Sequence, residues 1–127
     1  MINSLVEGVV QMTVNRLGAG PRMSQAVIHG NTVYLAGQVA ADPVPSVGEQ
    51  TRQVLEKIDA LLSEAGTDKT RLLSANIWLA EIRNFDEMNA VWDAWVVPGN
   101  APARATVQAI LARPKNLVEI MVTAALV

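Results

Sequence analysis

The chain has 127 residues, half of them hydrophobic, 17% charged and 4% aromatic, with a net charge of -2. One compact domain over residues 1–127 with a substantial core is expected, and disorder is excluded. The absence of cysteine excludes a disulfide scaffold, a zinc ribbon and a thiol nucleophile, while the acidic balance gives no electrostatic reason to expect nucleic acid.

The first strand signal falls around Val9–Val14 and leads into Gly18-Ala19-Gly20-Pro21, a loop by its glycine and proline content. It is not a dinucleotide fingerprint, because Met23 stands where the third glycine belongs and a strand follows. Residues 26–29 and 32–36 alternate like strands around Gly30-Asn31, a two-residue hairpin signal. Ser46 and Glu49 have capping-box spacing. Beyond them Val54, Ile58, Leu61, Leu62 and Ala65 share one helical face before Gly66 ends the run. Residues 72–79 read as a strand. A second helix is expected to open at Asn84, with Phe85, Met88, Val91, Trp92 and Trp95 at helical spacing before Pro98-Gly99. Residues 105–111 and 118–127 alternate as two final strands.

The order is therefore β-β-β-α-β-α-β-β, an α+β fold with two helices on one face of a mixed six-stranded sheet. In the last strand Val118, Ile120, Val122, Ala124 and Leu126 form one side. The other side, with Met121, Ala125 and Val127 beside Glu119 and Thr123, is too apolar for open water. The low charged and aromatic content points the same way, to a homo-oligomer that packs sheet against sheet. No apolar run approaches the roughly 20 residues of a membrane span, and the first ten residues hold no basic n-region. A cytoplasmic protein without membrane contact is expected.

Hydrolytic triads need a histidine base, but the single histidine, His29, sits at a hairpin turn where a solvated role is the ordinary one. No His or Cys cluster and no carboxylate spacing fits a metal. Glu49, Glu56, Lys57 and Glu64 read as a solvated helix face, and Trp92 and Trp95 as packing of helix on sheet. Arg104 and Glu119 are different. They interrupt two apolar strands taken as neighbours, where a charge must be paired, exposed or functional. For Arg104 alone, a strand-edge arginine tied to a surface carboxylate remains an alternative.

Four separated motifs carry a resemblance. They are Ser24-Gln25-Ala26 through Ala36-Gly37-Gln38, then Asn84-Phe85 with Met88-Asn89, then Ala101-Pro102-Ala103-Arg104-Ala105-Thr106-Val107, then Leu117-Val118-Glu119-Ile120. In this order and spacing, from about residue 20 to the C-terminus, the chain resembles the RidA (YjgF) family of enamine/imine deaminases. The resemblance implies a chorismate-mutase-like protomer, a homotrimer with sites between subunits, and a small 2-imino or 2-keto acid as ligand, with no cofactor. It implies that Arg104 grips a carboxylate and that Glu119 helps hold the attacking water. Asn89 matches a family asparagine near the cleft, and Gly37 belongs to the segment lining it. Three positions depart from the family pattern: Met23 replaces a tyrosine, Ala36 a serine and Thr106 a cysteine, and the hydroxyls lost at the first two make the pocket more apolar. A trimer that binds small carboxylic acids or a protein partner without turnover is the alternative, and endoribonuclease activity carries little weight for an acidic chain without a catalytic histidine.

Overall fold

The computed structural model describes residues 13–127. Strands β1 (Val14–Leu17), β2 (Ala26–His29) and β3 (Thr32–Leu35) precede helix α1 (Val47–Ala65). Strand β4 (Leu72–Leu79), helix α2 (Phe85–Trp95), and strands β5 (Ala103–Gln108) and β6 (Val118–Ala125) follow. The element order is as expected. Of the expected first strand, residues 9–12 lie outside the described residues, and β1 begins at Val14.

The sheet has six strands in the order β1-β2-β3-β6-β4-β5. Only β4 and β5 run parallel, joined by the crossover through α2. The C-terminal strand β6 inserts between β3 and β4 and is antiparallel to both. This corrects the expectation that the strands bearing Arg104 and Glu119 are adjacent, because β4 lies between them. Alternation within each strand cannot report which strand pairs with which. The fifth strand also sits two residues earlier than its pattern suggested. It is held in register with Ser74–Leu79 of β4, so Ile110 falls beyond the ladder and is fully exposed.

Both turn signals act as read. Gly30 takes a left-handed conformation (φ 61°) between His29 and Thr32, which pair across the hairpin. The Ser46 side chain accepts from the Glu49 N–H, and Gly66 closes α1 with φ 93°. Helix α2 opens at Asn84 as expected, but without a side-chain cap. A 3-10 turn over Ile82–Asn84 enters the helix instead, and the Phe85 N–H bonds to the Ile82 carbonyl.

The core lies between the helices and one sheet face. Val54, Leu55, Ile58 and Leu62 of α1 and Met88 and Trp92 of α2 pack on Val118, Ile120, Val122 and Ala124 of β6 and Ala75, Ile77 and Leu79 of β4. Opposite this, α1 is solvated. Arg52 hydrogen-bonds Glu49 and, with Gln53, holds that carboxyl at about 2, well under the usual range.

Gln50 is one of the polar side chains in the interior. It is fully buried, donates to the carbonyls of Val44 (2.8 Å) and Lys115 (2.9 Å), and accepts from the Leu117 N–H (2.9 Å). One side chain thus ties the loop before α1 and the loop before β6 to the helix. Gln50→Ala would orphan three backbone groups and leave a void. Denaturant unfolding should show a loss of about 2 to 4 kcal/mol.

Candidate functional site

Arg104 stands on β5, the edge strand, opposite Ala75 of β4, and Thr106 stands opposite Ile77. Ala75 and Ile77 face the helices, so Arg104 and Thr106 face them as well. The guanidinium meets α2 there. Its Nη1 donates to Asn89 Oδ1 at 2.8 Å, and its central carbon lies 5.3 Å from the Trp92 ring and 5.9 Å from the Phe85 ring. Among the described residues no carboxylate comes within ion-pair reach of it. The reading of Arg104 as an edge arginine tied to a surface carboxylate therefore finds no support in these residues. Beside it the Thr106 hydroxyl is buried without a hydrogen-bond partner among them.

Glu119 is elsewhere. It pairs with Trp78 across β4 and β6, on the sheet face the helices do not cover. Its carboxyl folds over Gly37: a Cβ built at residue 37 would come within 3.0 Å of the Glu119 Cδ. Gln38, next in the chain, pairs with Ile120 and bonds through its amide to Gln25 and to the Ala36 carbonyl. Ala36 in turn donates its N–H to the Gln25 carbonyl, and Met23 is half-exposed in the loop before β2.

The seven residues singled out in the sequence thus fall into two groups. Arg104, Asn89 and Thr106 lie together on the helix side of the sheet edge. Glu119 and Gly37 lie together on the open face, with Ala36 and Met23 along the segment leading to them. Arg104 and Glu119 leave opposite faces, two strands apart, which is roughly 9 to 10 Å of backbone separation. Within one protomer the two side chains therefore do not face a common ligand position.

Phe85 and Trp92 are members of the arginine group that pattern reading assigned to packing alone. With Asn89 they occupy positions i, i+4 and i+7 of α2, one helical face, so their shared direction was visible. What that face meets was not.

Two concavities among the described residues lie away from these groups. A cleft of about 830 Å³ lies among Pro43, Ser46, Glu81, Arg83, Glu87 and Lys115. Its charges are largely matched, since Arg83 pairs with Glu81 at 2.7 Å and Glu87 accepts from the Gly48 N–H at the start of α1. An open groove of about 320 Å³ lies between the helices, lined in part by Lys69, which donates to the Trp95 carbonyl, and by Asp59, which accepts from the Trp95 indole. Among the described residues no acidic or histidine cluster could hold a metal ion, and no helix is long and apolar enough to cross a membrane.

A mixed sheet of this order with two helices on one face is the architecture of the YjgF proteins. The family model described as Endoribonuclease L-PSP matches residues 13–126, and the chain belongs to that family. The RutC family protein YoaB of Escherichia coli is 47% identical over 114 residues, covering 90% of this chain and 99% of that protein. A YjgF-family crystal structure from Neisseria meningitidis matches with a TM-score of 0.88 at 44% identity, over 91% of this chain and 96% of that one. The family includes imine deaminases: the 2-iminobutanoate/2-iminopropanoate deaminase of Bos taurus is 35% identical over 121 residues, 91% of this chain and 86% of that protein.

The fit of Glu119 against Gly37 is testable apart from any activity. Gly37 does not occupy the left-handed region, and the obstructing atoms belong to the end of a flexible side chain. Gly37→Ala should fold with a stability change of about 1 kcal/mol or less. A crystal structure of the variant should show the Glu119 carboxyl displaced from its present place.

Proposed function

We propose that the protein hydrolyses 2-imino acids and their enamine tautomers to 2-keto acids and ammonia, at sites completed between the subunits of a homotrimer. The observation that carries this reading is Arg104: a permanent cation, aimed by an amide and two aromatic rings, without a carboxylate partner among the described residues. A planar guanidinium fork is the side chain best shaped for bidentate carboxylate recognition. The deaminases among the relatives supply the substrate class.

In this reading Arg104 fixes the substrate carboxylate at the sheet edge. Thr106, with its buried unpartnered hydroxyl, offers a hydrogen bond beside it. Glu119, brought from the open sheet face of an adjoining copy, orients a water toward the imine carbon and takes its proton. Addition of water gives a carbinolamine. Protonation of its nitrogen lets the C–N bond break, releasing ammonia and leaving the keto acid. Imines hydrolyse unaided, so the roughly 10² to 10⁴-fold gain of one general acid-base group is sufficient. Gly37 gives Glu119 its room, while Met23 and Ala36, lacking the hydroxyls usual at their positions, leave the pocket wall apolar.

Assembly is required because one protomer separates Arg104 from Glu119. The uncovered face supports it, since Tyr34, Leu73 and Val107 are about half-exposed there. Light scattering of the purified protein should give about three protomer masses; a concentration-independent monomer at micromolar protein would overturn both the assembly and the shared site.

Ammonia release from freshly generated 2-imino acids tests the chemistry. Arg104→Ala should lower kcat/KM about a hundredfold, the loss of one charged contact of about 2 to 3 kcal/mol, and Arg104→Lys should not restore it. Glu119→Gln should lower turnover while keeping affinity for the keto acid. A folded Glu119→Gln protein with undiminished turnover would overturn the role given to Glu119, whereas a parent protein that binds the keto acid and releases no ammonia from 2-imino acids would leave a carboxylate binder as the better description.

A further inference from the structure

We propose that Trp92 is a positioning residue, a buried aromatic ledge that orients the Arg104 guanidinium for its ligand. This rests on the reading of Arg104 as the carboxylate clamp and adds the device that aims it.

Trp92 is only 5% exposed, and it packs against a second ring. Its ring lies 5.3 Å from the Trp95 ring at a tilt of 51°, and Trp95 donates its indole N–H to Asp59 of α1 at 3.0 Å. The ring is therefore held by both helices before Arg104 meets it. The guanidinium carbon stands 5.3 Å from the Trp92 ring, within the range of a favourable cation–π contact, and indole is the strongest of the aromatic partners. Asn89, one turn earlier on α2, fixes the Nη1 edge. With one face and one edge held, the long side chain loses most of its freedom before any ligand arrives, which lowers the entropy still to be lost on binding. Phe85 extends the ledge but is 38% exposed, and so is the less constrained of the two rings.

A tryptophan that merely filled the core would contribute to stability without any selective effect on carboxylate affinity. The measurement is the Kd of 2-oxobutanoate, a 2-keto acid, for the intact protein and its Trp92→Leu, Trp92→Phe, Arg104→Ala and Arg104→Ala/Trp92→Leu variants. Trp92→Leu should weaken binding about three- to tenfold, and Trp92→Phe, which keeps a ring face, should recover most of it. In deaminase assays the same loss should appear in KM with kcat little changed. Arg104→Ala should weaken binding about a hundredfold, and adding Trp92→Leu to it should change nothing further.

The inference is overturned if folded Trp92→Leu binds 2-oxobutanoate as tightly as the parent, or if its defect persists undiminished without Arg104. Full binding by Arg104→Ala would instead overturn the reading of the arginine itself. Should Trp92→Leu fail to fold, tryptophan emission decides. Saturating 2-oxobutanoate should shift emission in the parent and not in Arg104→Ala or Trp92→Phe, and an unshifted parent spectrum overturns the proposal.

Discussion

Strand β6 pairs on both of its edges, and the rest of the molecule depends on that double pairing. The last strand of the chain becomes a central strand of the sheet, joining the β1-β2-β3 meander to the β4-α2-β5 unit. Its inward residues Val118, Ile120, Val122 and Ala124 are all essentially buried, and they form part of the surface on which α1 settles. Without β6, the two halves would each expose an open edge and an apolar face. The buried Gln50 belongs to the same constraint, because its bonds to Lys115 and Leu117 set where β6 begins.

That placement distributes the chemistry. Since β4 must pair with β6 on one side, its parallel partner β5 is forced to the edge, and Arg104 goes with it. The helix crossing from β4 to β5 then lies over the arginine, which is why an amide and two rings of α2 meet a side chain of the strand that follows them. Glu119, one position from the inward Ile120, must face the other way. The two charged residues are separated by the pleat of the sheet, on opposite faces and two strands apart.

The site is economical in its electrostatics. A cation on an edge strand keeps enough access to water to avoid a large desolvation cost, while aromatic faces and one neutral amide orient it without neutralising it. A carboxylate partner in the same position would have made a stronger pair and neutralised the charge. The same logic applies to Thr106: its buried hydroxyl without a partner is a cost to the fold that a ligand hydrogen bond would offset.

The sequence by itself determined the elements and the residues. The Gly30-Asn31 turn, the Ser46 cap, the Gly66 stop and the alternation of residues 72–79 are local devices, each legible because its physics is confined to a few neighbours along the chain. Arg104 and Glu119 stood out for an equally local reason, a charge within an apolar strand. Tertiary structure decided what these elements and residues meet. Which strand separates Arg104 from Glu119, which face each occupies, and that Trp92 lies under a guanidinium as well as in the core all depend on pairings between segments far apart in sequence. Those pairings follow from how whole apolar faces are buried together, and a period of two along a strand carries no information about its neighbour.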